Sequence, residues 1–334
     1  MAPLPVHILT GFLGSGKTTL LAALVRQHGF ADTAVVVNEL GEVGLDHVLV
    51  APGSEDDVVL LESGCLCCAL GNSLQETLES LHYRRVRGEL PPFARVVVET
   101  TGVADPGPIA ATLGLDSAIA RHYRLGSIVT VVDAVHAREQ LARFEEARRQ
   151  VAMADRLVVT KQDLALSSAA ALDGALRSLN PHAVKVSAVR GEIAADDVLV
   201  DMLQPRALEK YAARHECRSD VGGHDHAAHD HLAERRIAST AMRLERPLDW
   251  PRYAAWVQWL QRAFGERLLR MKGAVRMEDG SAQALHAVMR LFTAPSALPA
   301  LPAALGNGVV VLITQDADEA LIAEARERLC GLPR

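Results

Sequence analysis

The chain has 334 residues, with 35 Lys and Arg against 41 Asp and Glu, a formal net charge of −6. That length suits two unequal domains, and 49% hydrophobic with 23% charged residues excludes wholesale disorder. Aromatics at 4% and a pI of about 6.1 leave neither a stacking platform for single strands nor a broad basic face, so no nucleic-acid partner is expected.

No apolar run approaches the ~20 residues of a membrane helix. The opening Met1-Ala2-Pro3-Leu4-Pro5 has neither the basic flank nor the apolar core of a signal peptide. A cytoplasmic protein without a membrane partner is the expectation. The cysteine count of five is odd, and three fall in Cys65-Leu66-Cys67-Cys68, crowding that points to metal or redox chemistry rather than a disulfide framework.

Short β-branched runs alternate with helical patterns up to about residue 205. The runs Val6–Thr10, Ala34–Val37, Val58–Leu61, Arg95–Val98, Ile128–Val132, Leu157–Thr160 and Ala183–Val186 predict strands. Thr18–Gln27, Leu74–Leu81, Arg138–Met153 and Ala169–Leu179 predict helices between them. This alternation predicts an α/β fold, a mostly parallel sheet covered by helices on both faces.

Residues 206–234 read as a linker, and Gly222–His231 within it is polar and His-rich. Residues 235–334 predict a smaller α+β domain. Its strands are Ile237–Leu244, Leu268–Met277, Leu285–Phe292 and Val309–Thr314; its helices are Trp250–Phe264 and Asp318–Leu329. Pro295–Pro302, with three prolines, predicts a loop. Arg270 and Lys272 alternate along a strand, which predicts a solvated face. His7, Cys217 and Cys330 read as structural.

Gly11-Phe12-Leu13-Gly14-Ser15-Gly16-Lys17-Thr18 fits G-x-x-x-x-G-K-[ST], with a strand before it and a helix after it. Its glycines let backbone N–H groups close around phosphate oxygens, and the helix beginning at Thr18 and Thr19 aims its positive end there. Lys17 would reach the β- and γ-phosphates, and the Thr18 hydroxyl would bind Mg²⁺.

The strand Arg95–Val98 runs into Glu99, a carboxylate for the Mg²⁺ shell, and Gly102 follows with an N–H for the γ-phosphate. Thr160-Lys161-Gln162-Asp163 follows another strand. The Asp163 carboxylate can accept from guanine N1–H and its exocyclic amine, a donor pair that adenine lacks, and Lys161 can lie along the base. Ser187-Ala188 after the next strand completes a guanine-nucleotide order. Lys17, Thr18 and Glu99 are the expected catalytic set; no water-positioning base is fixed by spacing.

With these motifs in place, the chain resembles the CobW-type P-loop GTPases linked to metal handling, in particular their YjiA-like members. The resemblance runs over Thr10–Thr19, Asn38–Gly44, Gly64–Cys68, Glu99–Pro108, Val131–His136 and Thr160–Asp163. More loosely, it extends to Leu268–Gly273 in a CobW C-terminal-like domain. It implies GTP-dependent insertion or chaperoning of a transition metal for a client protein. Two positions depart from it: Thr160 stands where many GTPases have Asn, and Val37 where some relatives carry an extra carboxylate.

Cys65, Cys67 and Cys68 offer soft thiolates suited to Zn²⁺, Co²⁺ or Cu(I), with small buried apolar residues as the plainer alternative. In an extended backbone Cys65 and Cys67 share a side; in a helical turn Cys65 and Cys68 align. Three thiolates on one ion therefore need an irregular loop, or two cysteines with a distant ligand such as Glu42. Glu42 otherwise reads as an exposed loop acid.

His224, His226, His229 and His231 would buffer Zn²⁺, Ni²⁺ or Co²⁺ weakly, or else titrate in a solvated linker. The expected ligands are thus GTP, Mg²⁺ and Zn²⁺ (or Co²⁺ or Ni²⁺). Two rival functions are a P-loop small-molecule kinase with structural cysteines and a metal-storage protein that nucleotide only stabilises. The client and the oligomeric state are not legible.

Overall fold

A computed structural model describes residues 3–37, 47–51, 59–62, 74–116, 118–165, 169–200 and 236–331. The chain divides into two compact units, one ending at residue 202 and the other beginning at 203.

In the first unit, β1 (Leu4–Thr10), β2 (Thr33–Val37), β3 (His47–Ala51), β4 (Val59–Glu62), β5 (Arg95–Glu99), β6 (Tyr123–Asp133), β7 (Arg156–Thr160) and β8 (Val184–Ala188) form one sheet, ordered β4-β3-β2-β5-β1-β6-β7-β8. The six strands from β2 to β8 in that order are parallel, and β3 and β4 add an antiparallel edge. Strand β3 was not expected from sequence.

The helices are α1 (Lys17–Val25), α2 (Leu74–Val86), α3 (Pro106–Leu115), α4 (Ala137–Arg143), α5 (Glu145–Met153), α6 (Ala169–Leu179) and the single turn α7 (Ala195–Val198). Side chains alternate across the sheet as a pleat dictates. On β5, Val97 packs with Leu20, Leu21 and Leu24 of α1 on one face, while Val96 and Val98 pack with Leu78, Leu81 and Leu113 on the other.

The predicted helix Arg138–Met153 is broken. Phe144 takes an extended backbone (φ −118°, ψ 123°), ending α4 and starting α5. Its ring stacks on Phe12 at 4.7 Å between centroids. Arg148 Nη1 donates to the Leu141 carbonyl at 2.9 Å and the Ala142 carbonyl at 3.3 Å, so the interrupted helix end is not left unbonded.

The second unit is an antiparallel sheet of β9 (Ile237–Arg243), β10 (Leu268–Arg276), β11 (Ala282–Val288), β12 (Leu291–Phe292), β13 (Ser296–Leu298) and β14 (Gly308–Gln315). Helices α8 (Trp250–Ala263) and α9 (Glu319–Cys330) complete it. Met271, Val275, Leu285, Val310 and Leu312 share a core with Trp256 and Leu260 of α8 and Ala325 and Leu329 of α9. Trp256 Nε1 donates to the Ala325 carbonyl at 2.9 Å and joins the two helices. Cys330 caps this arrangement structurally, its Sγ donating to the Arg243 carbonyl at 3.3 Å.

Two expectations fail here. The proline-flanked Ser296–Leu298 is not loop but pairs with β11, because an edge strand needs ladder bonds on one side only and Pro295 and Pro299 fall outside it. Arg270 and Lys272 do not form a solvated face: each is 4% exposed, on the face of β10 that also carries Ala274, opposite the helices. Strand β10 lies inside the sheet, between β11 and β14, and its second face is covered. Among the described residues no helix is long and apolar enough to cross a membrane.

Asn180 fastens α5 to the start of β8. Its Nδ2 donates to the carbonyls of Val151, Ala152 and Ala154 at 2.9–3.0 Å, and its Oδ1 accepts from the His182 and Ala183 N–H groups at 3.2 and 3.0 Å. Asn180→Ala strands these buried groups and should cost about 2–3 kcal/mol of unfolding free energy in a urea titration. A change below about 0.5 kcal/mol would show that water replaces the side chain without loss.

Candidate nucleotide site

Parallel pairing sets the carboxyl ends of β5, β1, β6 and β7 side by side, where ligands of open α/β sheets bind. Leu9 pairs with Glu99, Thr10 with Thr130, and Asp133 with Thr160, so the motif residues emerge at one edge. The phosphate loop leaves β1 and enters α1 through Gly14 and Gly16, both left-handed (φ 73° and 93°).

Lys17 is buried, with Nζ donating to the Gly11 carbonyl at 2.8 Å and reaching the Phe12 carbonyl at 3.5 Å. Thr18 Oγ1 donates to Glu99 Oε1 at 2.8 Å, which joins two candidate Mg²⁺ ligands across 81 residues of sequence. Both are hard oxygen donors, and Glu99 is buried, a donor set that fits Mg²⁺. Gly102 lies against the loop so closely that a Cβ there would stand 2.8 Å from the Leu13 nitrogen.

The Thr160–Asp163 turn is bonded directly to the phosphate loop. Thr160 Oγ1 donates to the Ser15 carbonyl at 2.8 Å. Lys161, held left-handed at φ 55°, donates from Nζ to the Gly14 carbonyl and to Asp133 Oδ2, each at 2.8 Å.

Asp133, 1% exposed, also accepts from His136 Nδ1 at 2.9 Å and from the Val135 N–H at 2.8 Å. Burial alone would push its carboxyl up. The hydrogen bonds of Lys161, His136 and Val135, with the Lys161 charge, outweigh burial and hold it below the ordinary aspartate range. The sequence reading gave Asp133 no role, although it stands at a strand end like Glu99.

Ser15, Gly16, Thr19 and Leu20 on one side, and Thr160, Lys161, Asp163 and Leu164 on the other, line a cavity of about 340 Å³. That falls within the ~300–1,000 Å³ of small-molecule sites. Arg190 and Gly191 complete its wall. Ser187, expected after this strand, lies within β8 and outside the lining, and its hydroxyl donates to Gln162 Oε1 at 3.0 Å.

The wall comes instead from the turn after β8, where Arg190 and Gly191 both take positive φ; in the sequence only the glycine marks that turn. His7 is structural, its Nδ1 2.7 Å from Ser127 Oγ in the sheet interior. Glu42, Cys65, Cys67, Cys68, Cys217, His224, His226, His229 and His231 lie outside the described residues, as does the whole 206–234 segment. Val37, where the resemblance places a carboxylate in some relatives, pairs with Glu99.

Known proteins resemble this chain over both units. Residues 5–187 match the CobW/HypB/UreG nucleotide-binding domain, and residues 237–329 match the cobalamin synthesis protein cobW C-terminal domain. The chain is 35% identical over 299 residues to the zinc chaperone YjiA of Escherichia coli, covering 88% of this chain and 89% of that one. It is 27% identical over 258 residues to the zinc chaperone CobW of Sinorhizobium sp, covering 68% and 71%. The crystal structure of Zn(II)-bound YjiA GTPase superposes over 100% of both chains with a TM-score of 0.71 at 28% identity. The chain belongs to the CobW/HypB/UreG family of P-loop GTPases, and carries that family's nucleotide-binding and C-terminal domains in order.

Proposed function

We propose that this protein is a GTP-hydrolysing metallochaperone. It binds a transition metal, zinc before cobalt or nickel, through Cys65, Cys67 and Cys68, and couples transfer to a client metalloprotein to GTP hydrolysis. The observation that carries the nucleotide half is the bonding of Thr160 and Lys161 to the phosphate loop, with Asp163 lining the same cavity. The metal half is supported by the three crowded thiols and by the zinc named for the relatives YjiA and CobW.

In this reading the backbone N–H groups of Gly14 to Thr19 surround the phosphates, and Lys17 exchanges its loop carbonyls for β- and γ-phosphate oxygens. Water attacks the γ-phosphorus in line, and the proton leaves with inorganic phosphate. Thr18 and Glu99 would hold Mg²⁺, whose chemistry is to neutralise charge on the β- and γ-oxygens. The Gly102 N–H, pressed against the loop at Leu13, faces the γ-phosphate, and Asp163 accepts from the guanine edge. Turnover without a partner is slow, as for GTPases lacking a supplied arginine. With Val37 in place of a carboxylate, the metal shell relies on thiolates, with Glu42 as its oxygen ligand. The four linker histidines buffer metal.

Asp163→Asn turns an acceptor-only carboxylate into an amide that also donates. Xanthine has an oxygen where guanine has its amine, so competition binding should show preference moving from GTP toward XTP. Equal affinity of the unsubstituted protein for ATP and GTP would remove the guanine assignment.

Metal and nucleotide should also be coupled, because the thiols fall in sequence between the Asn38–Asp46 segment and Glu99. Zn²⁺ affinity titrated in the GDP state and with a nonhydrolysable GTP analogue should then differ by roughly 5–150-fold, and zinc should shift the two nucleotide affinities by the same ratio. The double substitution Cys67→Ala with Cys68→Ala should abolish the tight site and the coupling yet leave GTP binding intact. Identical zinc affinity in both states at fixed pH would contradict the coupled carrier.

A further inference from the structure

The stretch that leaves β5 is tied down at both ends. At its start, the Thr100 N–H donates to the Leu9 carbonyl at 3.0 Å, and Thr100 Oγ1 donates to Thr10 Oγ1 at 2.9 Å, which binds residue 100 to the end of β1. At its far end Asp105 caps α3, its Oδ1 accepting from the Gly107 N–H at 2.8 Å. Between these points lies Gly102, whose N–H the GTPase reading turns toward the γ-phosphate.

Two adjacent side chains of α5 hold this stretch. Gln150, 1% exposed, donates from Nε2 to the Gly102 carbonyl at 3.2 Å and to the Ala104 carbonyl at 3.0 Å. Arg149 donates from Nε and Nη2 to Asp105 Oδ2 at 2.9 and 2.7 Å. Because both of its partners are carbonyls, the Gln150 amide can point only one way, with its NH₂ toward them. Its Oε1 is then buried with no hydrogen-bond partner among the described residues. A buried acceptor without a donor is a cost to the fold, and the two bonds made by the other end of the amide are what the side chain gives in return.

The support behind Gln150 is rigid. Its own carbonyl accepts from Thr130 Oγ1 of β6 at 2.8 Å, and Asn180 Nδ2 binds the carbonyls of Val151, Ala152 and Ala154. The last turn of α5 is thus fastened to the sheet, and residues 102–105 are fastened to that turn. Gly102 also meets the phosphate loop, where a Cβ on it would stand 2.8 Å from the Leu13 nitrogen and 2.9 Å from the Leu13 Cα. Loop and amide together fix its position.

An N–H can meet a γ-phosphate oxygen only while the turn that carries it keeps its shape, and GDP makes no use of that contact. We propose that Gln150 is a positioning residue for the GTPase reaction: its amide holds the Gly102 peptide where the γ-phosphate is read, without touching the nucleotide. The inference rests on the GTPase reading above. Arg149 supports the same stretch through Asp105.

The test measures affinity for GDP and for a nonhydrolysable GTP analogue, with single-turnover GTP hydrolysis, in the full-length protein and in Gln150→Leu and Arg149→Met variants. Leucine fills similar space but donates nothing, so Gln150→Leu should bind the analogue ~3- to 30-fold more weakly and hydrolyse GTP more slowly by at least that factor, with GDP affinity within about 2-fold of the parent. The Arg149–Asp105 pair is partly exposed, and Arg149→Met should shift the ratio of analogue to GDP affinity ~2- to 5-fold in the same direction. It carries the test if Gln150→Leu does not fold. A merely structural role would weaken both nucleotides alike. An unchanged ratio in the variants that fold, whether both affinities fall together or neither does, would overturn the inference. Failure of the unsubstituted protein to bind either nucleotide would overturn the GTPase reading itself.

Discussion

Asp133 ends β6 with its carboxylate out of water, where burial opposes ionisation and the donors of Lys161, His136 and Val135 enforce it. The charge is not idle. It binds the ammonium of Lys161, whose backbone is left-handed, and Lys161 also grips the Gly14 carbonyl of the phosphate loop. Thr160, one residue earlier, grips Ser15. The end of β7 and the phosphate loop, about 145 residues apart in sequence, are thereby one hydrogen-bonded assembly before any ligand arrives. A site organised in advance spends little of its binding energy on ordering.

The sheet order makes this possible. Parallel strands from β2 to β8 bring Glu99, Asp133 and Thr160 to a common edge, and the strand-to-helix loop of β1 lies among them. The same edge holds Val37 beside Glu99. In the proposed carrier, a change at the γ-phosphate is felt at the carboxyl ends of β2 and β5, which the cysteine segment follows and precedes in the chain. Such coupling needs no long pathway, only two ligands that bias one short stretch of backbone.

What could be read from the sequence divides along physical lines. The phosphate loop and the Thr160–Asp163 turn were legible because their chemistry is local: glycine at left-handed positions, a lysine, a hydroxyl and a carboxylate at fixed spacing. The parallel sheet was legible in the continuous β-branched runs of β1, β5, β6 and β7.

Features set by distant partners were not. The α4–α5 break depends on Phe144 meeting Phe12, far away in sequence. Alternation along β10 shows that Arg270 and Lys272 share a face, but not that the face is covered. Ser187 fitted the expected order of motifs, yet Arg190 lines the cavity, because the reach of that loop is set by how Gly191 packs on α1. Asp133 was passed over because a lone acid after a strand gains its meaning only from the donors that converge on it.

The most direct test of this account is the GDP affinity of an Asp133→Asn variant, measured by calorimetry at neutral pH beside the unsubstituted protein. Asparagine keeps the shape but removes the charge that Lys161 and His136 answer. Loss of charge-assisted bonds worth about 1.5–3 kcal/mol should weaken GDP roughly 10- to 100-fold. The unsubstituted protein should keep the benefit of the carboxylate as pH falls through the ordinary aspartate range, and lose it only as pH drops through the depressed native value. A variant that binds GDP as tightly as the parent would contradict the claim that Asp133 sets the nucleotide site.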